Sequence, residues 1–258
     1  MRLMKRILSA AAVLALSASL LVGCSSGTAS SVPVSASSAA ESTVSSVEET
    51  ASSAVDENEA AAAQLLNDLT GSYQELWPVI LADEYKQTWL DDCTALVGED
   101  NAEAAFEKLS SMVTSDVYGE DAVKAYANGG GAYFCGFTNS LAILTFDGET
   151  STISGTDKDG NVLFSHTYHY IGMEPVRGLY EFQSDDADSG EFTYFFLAPD
   201  TSAETYHIEF RYGSDADALS QYDAGDYAYW LASGICTDCD QTMIDNCIEL
   251  FCTENLAG

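Results

Sequence analysis

Between Glu59 and Val113 apolar residues recur three or four positions apart, in stretches dominated by Ala, Leu, Glu and Lys. That spacing predicts helices over Glu59–Leu69, over Tyr73–Val97 with an interruption at Pro78, and over Asn101–Val113. Gly119–Asn128 is a shorter helix candidate, ended by Gly129-Gly130-Gly131. Beyond that run the period changes to two. Aromatic and β-branched stretches at Ala132–Asn139, Leu141–Phe146, Thr150–Thr156, Asn161–Ile171, Gly178–Gln183, Glu191–Ala198 and Glu204–Tyr212 read as seven strands. Asp159-Gly160 and Asp188-Ser189-Gly190 supply turn chemistry between them. Strands in succession with no helix-length insert predict an antiparallel meander that curls into a barrel to protect its edges. A short helix over Asp215–Tyr222, an apolar segment at Tyr227–Leu231 and an amphipathic helix over Asp240–Phe251 follow. The fold class is therefore α+β, mainly antiparallel β: a barrel preceded by helices and closed by a C-terminal helix.

The chain ahead of this region has a different pattern. Met1-Arg2 and Lys5-Arg6 precede an apolar stretch from Ile7 to Val22 that ends at Leu21-Val22-Gly23-Cys24. A basic start, a short apolar stretch and a small-residue boundary are the architecture of a signal peptide over residues 1–23. Leu-Val-Gly-Cys resembles a bacterial lipobox, which implies lipidation at Cys24 and a location on the extracytoplasmic face of the cell membrane. Residues 24–59 are rich in Ser, Ala, Thr, Val and Glu and contain no aromatic residue, so they cannot bury a core and read as a tether. Residues 60–258 hold every tryptophan and are long enough for one domain.

Charge narrows the partners. Removal of residues 1–23 takes away Arg2, Lys5 and Arg6 from the 9 Lys+Arg and none of the 41 Asp+Glu. So acidic a surface repels nucleic acid and anionic headgroups and draws cations, so no nucleic-acid partner is expected and contact with the membrane is through the lipid anchor alone. With Cys24 lipidated, Cys93, Cys135, Cys236, Cys239, Cys247 and Cys252 remain. Their even number outside the cytoplasm predicts structural disulfides, in the C-terminal segment first, with the pairing open. Cys236-x-x-Cys239 lacks the second Cys-x-x-Cys of a zinc site.

Histidine is scarce: His166, His169 and His207. Strand alternation puts Thr205, His207, Glu209 and Arg211 on one face, and puts His166 with Tyr168 on the face opposite to His169. His207 and Glu209 with one further histidine make a nitrogen–oxygen set suited to zinc; the same four side chains equally describe a solvated strand face. Asp157–Asn161 and Asp185–Asp188 carry carboxylates as calcium loops do but lack the distant glutamate of an EF-hand, and turn chemistry accounts for them. No catalytic motif of the nucleophile-elbow, P-loop, dinucleotide-binding or His-Glu-x-x-His type occurs, and the chain is not expected to be an enzyme.

Several segments in order resemble the ZinT (YodA) zinc-binding proteins, a domain that also ends AdcA-type zinc-uptake lipoproteins. Leu69-Thr-Gly-Ser-Tyr-Gln-Glu-Leu-Trp-Pro78 is similar to the family's W-x-G-x-[WY]-Q-S-[VL]-[YF]-P opening. Tyr168-His-Tyr-Ile-Gly172, Gly178-Leu-Tyr-Glu-Phe182, Ala198-Pro199 with Tyr206–Gly213, and Tyr227-Ala-Tyr-Trp230 resemble its later motifs, so the likeness spans about residues 65–235. The resemblance implies a calycin-like, lipocalin-type barrel that binds zinc near its mouth, with a metal-uptake transporter as a partner. Carried over by position, His207 matches the first histidine of the family's H-x-H and Glu209 the second; a third family histidine corresponds to Phe195, and the histidine-rich N-terminal stretch is absent. His166 is added to the set as our own inference. The expectation is a surface lipoprotein that binds a divalent metal ion, zinc, through His207, Glu209 and His166, for uptake or buffering. The alternative is a lipocalin-like module that holds a small apolar ligand among Phe195, Tyr168 and Tyr206, or a surface partner, without metal.

Overall fold

The structure, a computed structural model, describes residues 57–113, 119, 124, 133–198, 205 and 207–257. The signal peptide, Cys24, nearly all of the tether, almost all of the helix expected over 119–128, and Tyr206 lie outside these residues.

The first helix, α1, runs over 57–68 and buries Ala62, Leu65 and Leu66, with Leu69 just beyond, the i, i+3, i+4, i+7 stripe of an amphipathic helix. Then comes β1, Gly71–Glu75. α2 is Leu76–Ile80, with Pro78 in its first turn, where a missing N–H costs no helical bond. A 3-10 turn at Asp83–Tyr85 leads into α3, Lys86–Val97, which ends at Gly98 with φ 84°, and α4 is Glu99–Val113. Trp89 is the hinge pin of this helical layer: it is fully buried, stacks on Trp77 at 6.5 Å, meets Phe106 at 5.9 Å, and donates its indole N–H to the Ile80 carbonyl at 2.7 Å.

Seven further strands follow: β2 (Ile143–Asp147), β3 (Thr152–Thr156), β4 (Val162–Met173), β5 (Tyr180–Ser184), β6 (Tyr194–Leu197), β7 (His207–Gly213) and β8 (Ala232–Cys236). Each pairs antiparallel with the next, and β8 returns to β1 through Tyr73↔Cys236 and Glu75↔Gly234, which closes an eight-stranded up-and-down barrel. α5 (Ala216–Leu219) and α6 (Gln241–Leu256) start at Asp215 and Asp240, whose carboxylates accept the N–H groups of Ala218 and Met243, both at 3.0 Å. α6 packs on α3.

The meander is as expected, but its ends are not. Tyr73 lies in a strand instead of opening a helix, and Ala232–Cys236, read as lying beyond the last apolar segment, is the closing strand. The segment expected as the first strand, Ala132–Asn139, does not join the barrel; Phe134 makes a single parallel bridge to Trp230, and the Trp230 indole N–H reaches the Gly136 carbonyl at 2.9 Å. The described part of this segment lies along 229–233 and crosses the barrel wall.

The barrel interior is aromatic. Phe195 stands in the middle, 5.4 Å from Tyr168, 5.8 Å from Phe164, 6.4 Å from Phe210 and 5.4 Å from Tyr212, all of them buried. On β7 the inward side chains are therefore Ile208, Phe210 and Tyr212, so His207, Glu209 and Arg211 point outward, towards the layers that cover the wall.

Candidate metal centre

His207 and Glu209 share one face of β7 as the alternation requires, but that face is covered. His207 is 6 % exposed, its Nδ1 is 2.8 Å from the hydroxyl of buried Thr205, and the ring of Phe251 on α6 lies 6.0 Å away. Glu209 is half-buried opposite Ser233 of β8. Its carboxylate neighbours Cys135, whose thiol burial pushes up to about 12, with the charge of Glu209 adding to the shift. This pair does not stand in open solvent: His207 is buried and Glu209 half-buried.

His166 is not the missing third ligand. It stands on β4 with Phe164 and Tyr168, both of which meet Phe195 inside the barrel, whereas His207 points outward from β7, three strands further round. The set of His207, Glu209 and His166 is thus not assembled, because the two strands present these side chains to opposite sides of the wall. Among the described residues no three His, Cys, Asp or Glu side chains converge as a cluster able to hold an ion.

What β4 does instead was not anticipated. Antiparallel pairing sets Tyr168 opposite Ser184, so the loop that follows β5 continues alongside Thr167 and His166, and the Asp185 N–H donates to the Thr167 carbonyl at 2.8 Å. Asp186 then places Oδ2 2.6 Å from His166 Nδ1, and Asp185 places Oδ1 2.6 Å from His169 Nδ1. The two contacts lie at one end of the barrel on opposite faces of β4. The imidazole of His166 is 17 % exposed and that of His169 is 53 % exposed, with both aspartates more than half open to water. A ring whose Nδ1–H is given to a carboxylate carries its lone pair on Nε2, which is how metal-binding histidines are oriented. The signal was present in the sequence as Asp185-Asp-Ala-Asp188 at the end of the strand that pairs with β4.

The other acidic loop is a turn. The Asp157 carboxylate accepts N–H groups from Asp159 and Asn161 and the Asn161 side-chain amide at 2.8 to 2.9 Å, and these bonds, those of Asn161 foremost, hold it below the usual aspartate range. Cys236 and Cys239 are joined in a disulfide, which removes them as metal ligands, and Cys93, Cys135, Cys247 and Cys252 are buried thiols. Phe195 and Tyr168, named for an apolar ligand, pack on one another and fill the barrel.

No protein-family model matches the sequence, and no curated protein matches it. Among solved structures the chain is similar to the Zn(II)-bound ZinT-like domain of Streptococcus pneumoniae AdcA, with 13% identity and a TM-score of 0.44, over 70% of this chain and 87% of that one. It is also similar to Zn(II)-bound AdcA from the same organism, with 13% identity and a TM-score of 0.39, over 73% of this chain and 34% of that longer chain. The closed eight-stranded meander, with helices before it and one after it, is itself a calycin-type architecture.

Proposed function

We propose that this chain is an extracytoplasmic binding protein, tethered by a lipid on Cys24, that captures a divalent metal ion, zinc foremost, and holds it for buffering or for delivery to an uptake transporter. The observation that carries the reading is the pair of histidine–aspartate contacts at 2.6 Å, His166–Asp186 and His169–Asp185, at one end of the barrel. Each orients one imidazole beside carboxylates, and both nitrogen and oxygen donors suit zinc. A fixed charge set of 41 Asp+Glu raises the local concentration of any cation. One imidazole completed by water holds an ion more loosely than a closed four-ligand site, and loose holding suits transfer. The reading is of a binding protein and not of an enzyme.

Calorimetric titration of the chain with zinc chloride tests it. Heat of binding is expected in the wild type, to fall with His166→Ala or His169→Ala and to vanish with both, and to persist in His207→Ala with Glu209→Ala. Heat that survives loss of both β4 histidines, or that disappears with His207 alone, overturns the assignment.

A further inference from the structure

Two of the buried thiols lie together. Cys93 on α3 and Cys252 on α6 face each other with Sγ to Sγ 3.8 Å apart, 159 residues apart in sequence, and neither side chain has any exposure. We propose that Cys93 and Cys252 are a disulfide site, closed when an external disulfide meets the folding chain, and that this cross-link clamps the C-terminal helix over the outward face of β7.

The sulfur–sulfur separation supports a bond. A disulfide needs its sulfurs at about 2.05 Å. The two sulfurs already stand 3.8 Å apart, on helices that pack together. Cys135 makes a different contact, with its sulfur 3.8 Å from the Tyr133 carbonyl.

The chemistry balances with an external disulfide as oxidant. The thiolate of one cysteine attacks a sulfur of that disulfide, forming a mixed disulfide and releasing one thiolate. The second cysteine's thiolate then attacks the protein sulfur of the mixed disulfide, forming the Cys93–Cys252 bond and releasing the other thiolate. Two protein thiols are oxidised and one external disulfide is reduced to two thiols. Burial raises both cysteines above the usual thiol range, so few thiolates exist once the helices have docked, and exchange belongs to the folding chain.

The position gives the bond a consequence. Phe251, next to Cys252, lies 4.8 Å from Trp77 and 6.0 Å from His207, ring centroid to centroid. A covalent tie at Cys252 holds that ring in place, so the histidine beneath stays shielded from solvent ions.

The test uses the full chain unfolded in guanidinium, refolded with oxidised and reduced glutathione, alkylated and mapped without reduction. The expected result is a bond joining Cys93 to Cys252 beside the Cys236–Cys239 bridge, with Cys135 and Cys247 alkylated. Alkylation of both Cys93 and Cys252, or either of them bonded elsewhere, overturns the proposal. A second readout is thermal: Cys252→Ser is expected to lower the melting temperature of the oxidised chain by roughly 10 °C and to matter far less in dithiothreitol. An equal effect in both conditions overturns it.

Discussion

The ring of Phe251 covers His207 at 6.0 Å between centroids, and with the Thr205 hydroxyl on Nδ1 it turns a histidine that alternation puts on an exposed strand face into a buried one. Phe251→Ala is expected to open that face and to cost about 2 kcal/mol, less than a fully buried phenylalanine because the ring is only partly enclosed. Urea unfolding measures the loss, and faster acylation of His207 by diethyl pyrocarbonate reports the exposure. Unchanged acylation sinks the idea that the helix shields this residue.

Arg211, beside Glu209 in the outward row of β7, is fully buried. Its guanidinium donates to the carbonyls of Leu219, Gln221 and Tyr227 and stacks 4.3 Å over the Tyr222 ring, so one side chain ties the link between α5 and β8 to the barrel wall. Arg211→Met keeps the volume but leaves those carbonyls without their donor, and a loss of about 3 kcal/mol is expected in chemical denaturation. Arg211→Lys should recover only part, since an ammonium group does not reproduce the planar fork. Full recovery would show that charge alone matters there.

Alkaline pH should loosen the same region. Burial first, and the Glu174 carboxylate second, raise the Tyr222 phenol to about 12, with Arg211 and Arg177 opposing. The sign follows from that: the folded chain resists ionisation more than the unfolded chain, so the contribution is full below the ordinary tyrosine value near 10 and is lost as pH rises towards about 12. Tyr168 and Tyr212, also raised by burial, act in the same direction. Stability followed by denaturant titration should fall across this window, and Tyr222→Phe should make the fall shallower. A variant with an identical slope contradicts the assignment.

Gly148, in the turn between β2 and β3, is where α1 meets the barrel. A Cβ built there lies 2.4 Å from Asn67 Cα and 2.6 Å from the Leu66 carbonyl, both backbone atoms that cannot rotate aside. Gly148→Ala is expected to displace α1 and to cost about 2 kcal/mol. Faster amide exchange confined to 57–68 is the accompanying signature, and exchange unchanged there would contradict the contact.

Much of the barrel was legible because its middle strands alternate. β2 to β7 each place an aromatic or β-branched residue on the inward side, namely Phe146, Ile153, Phe164, Phe182, Phe195 and Phe210, and each lay within or overlapped an expected strand. The closing strands did not read that way for two reasons. Gly71–Glu75 holds one inward aromatic, Tyr73, between helix-forming segments, and Ala232–Cys236 is buried at every position, so it shows no alternation at all. The site was legible only in part. Alternation correctly paired His207 with Glu209 and separated His166 from His169, since both follow from period two. Which face of each strand looks into the barrel, and which helix covers the other, depends on contacts between residues far apart, such as Phe251 with His207, that no local pattern carries.

The pairing of Tyr73 with Cys236 has a kinetic consequence. A ribbon whose first strand finds its final neighbour only in its eighth cannot seal until every strand between Tyr73 and Cys236 is in place, so loop closure over that span limits how early folding can finish.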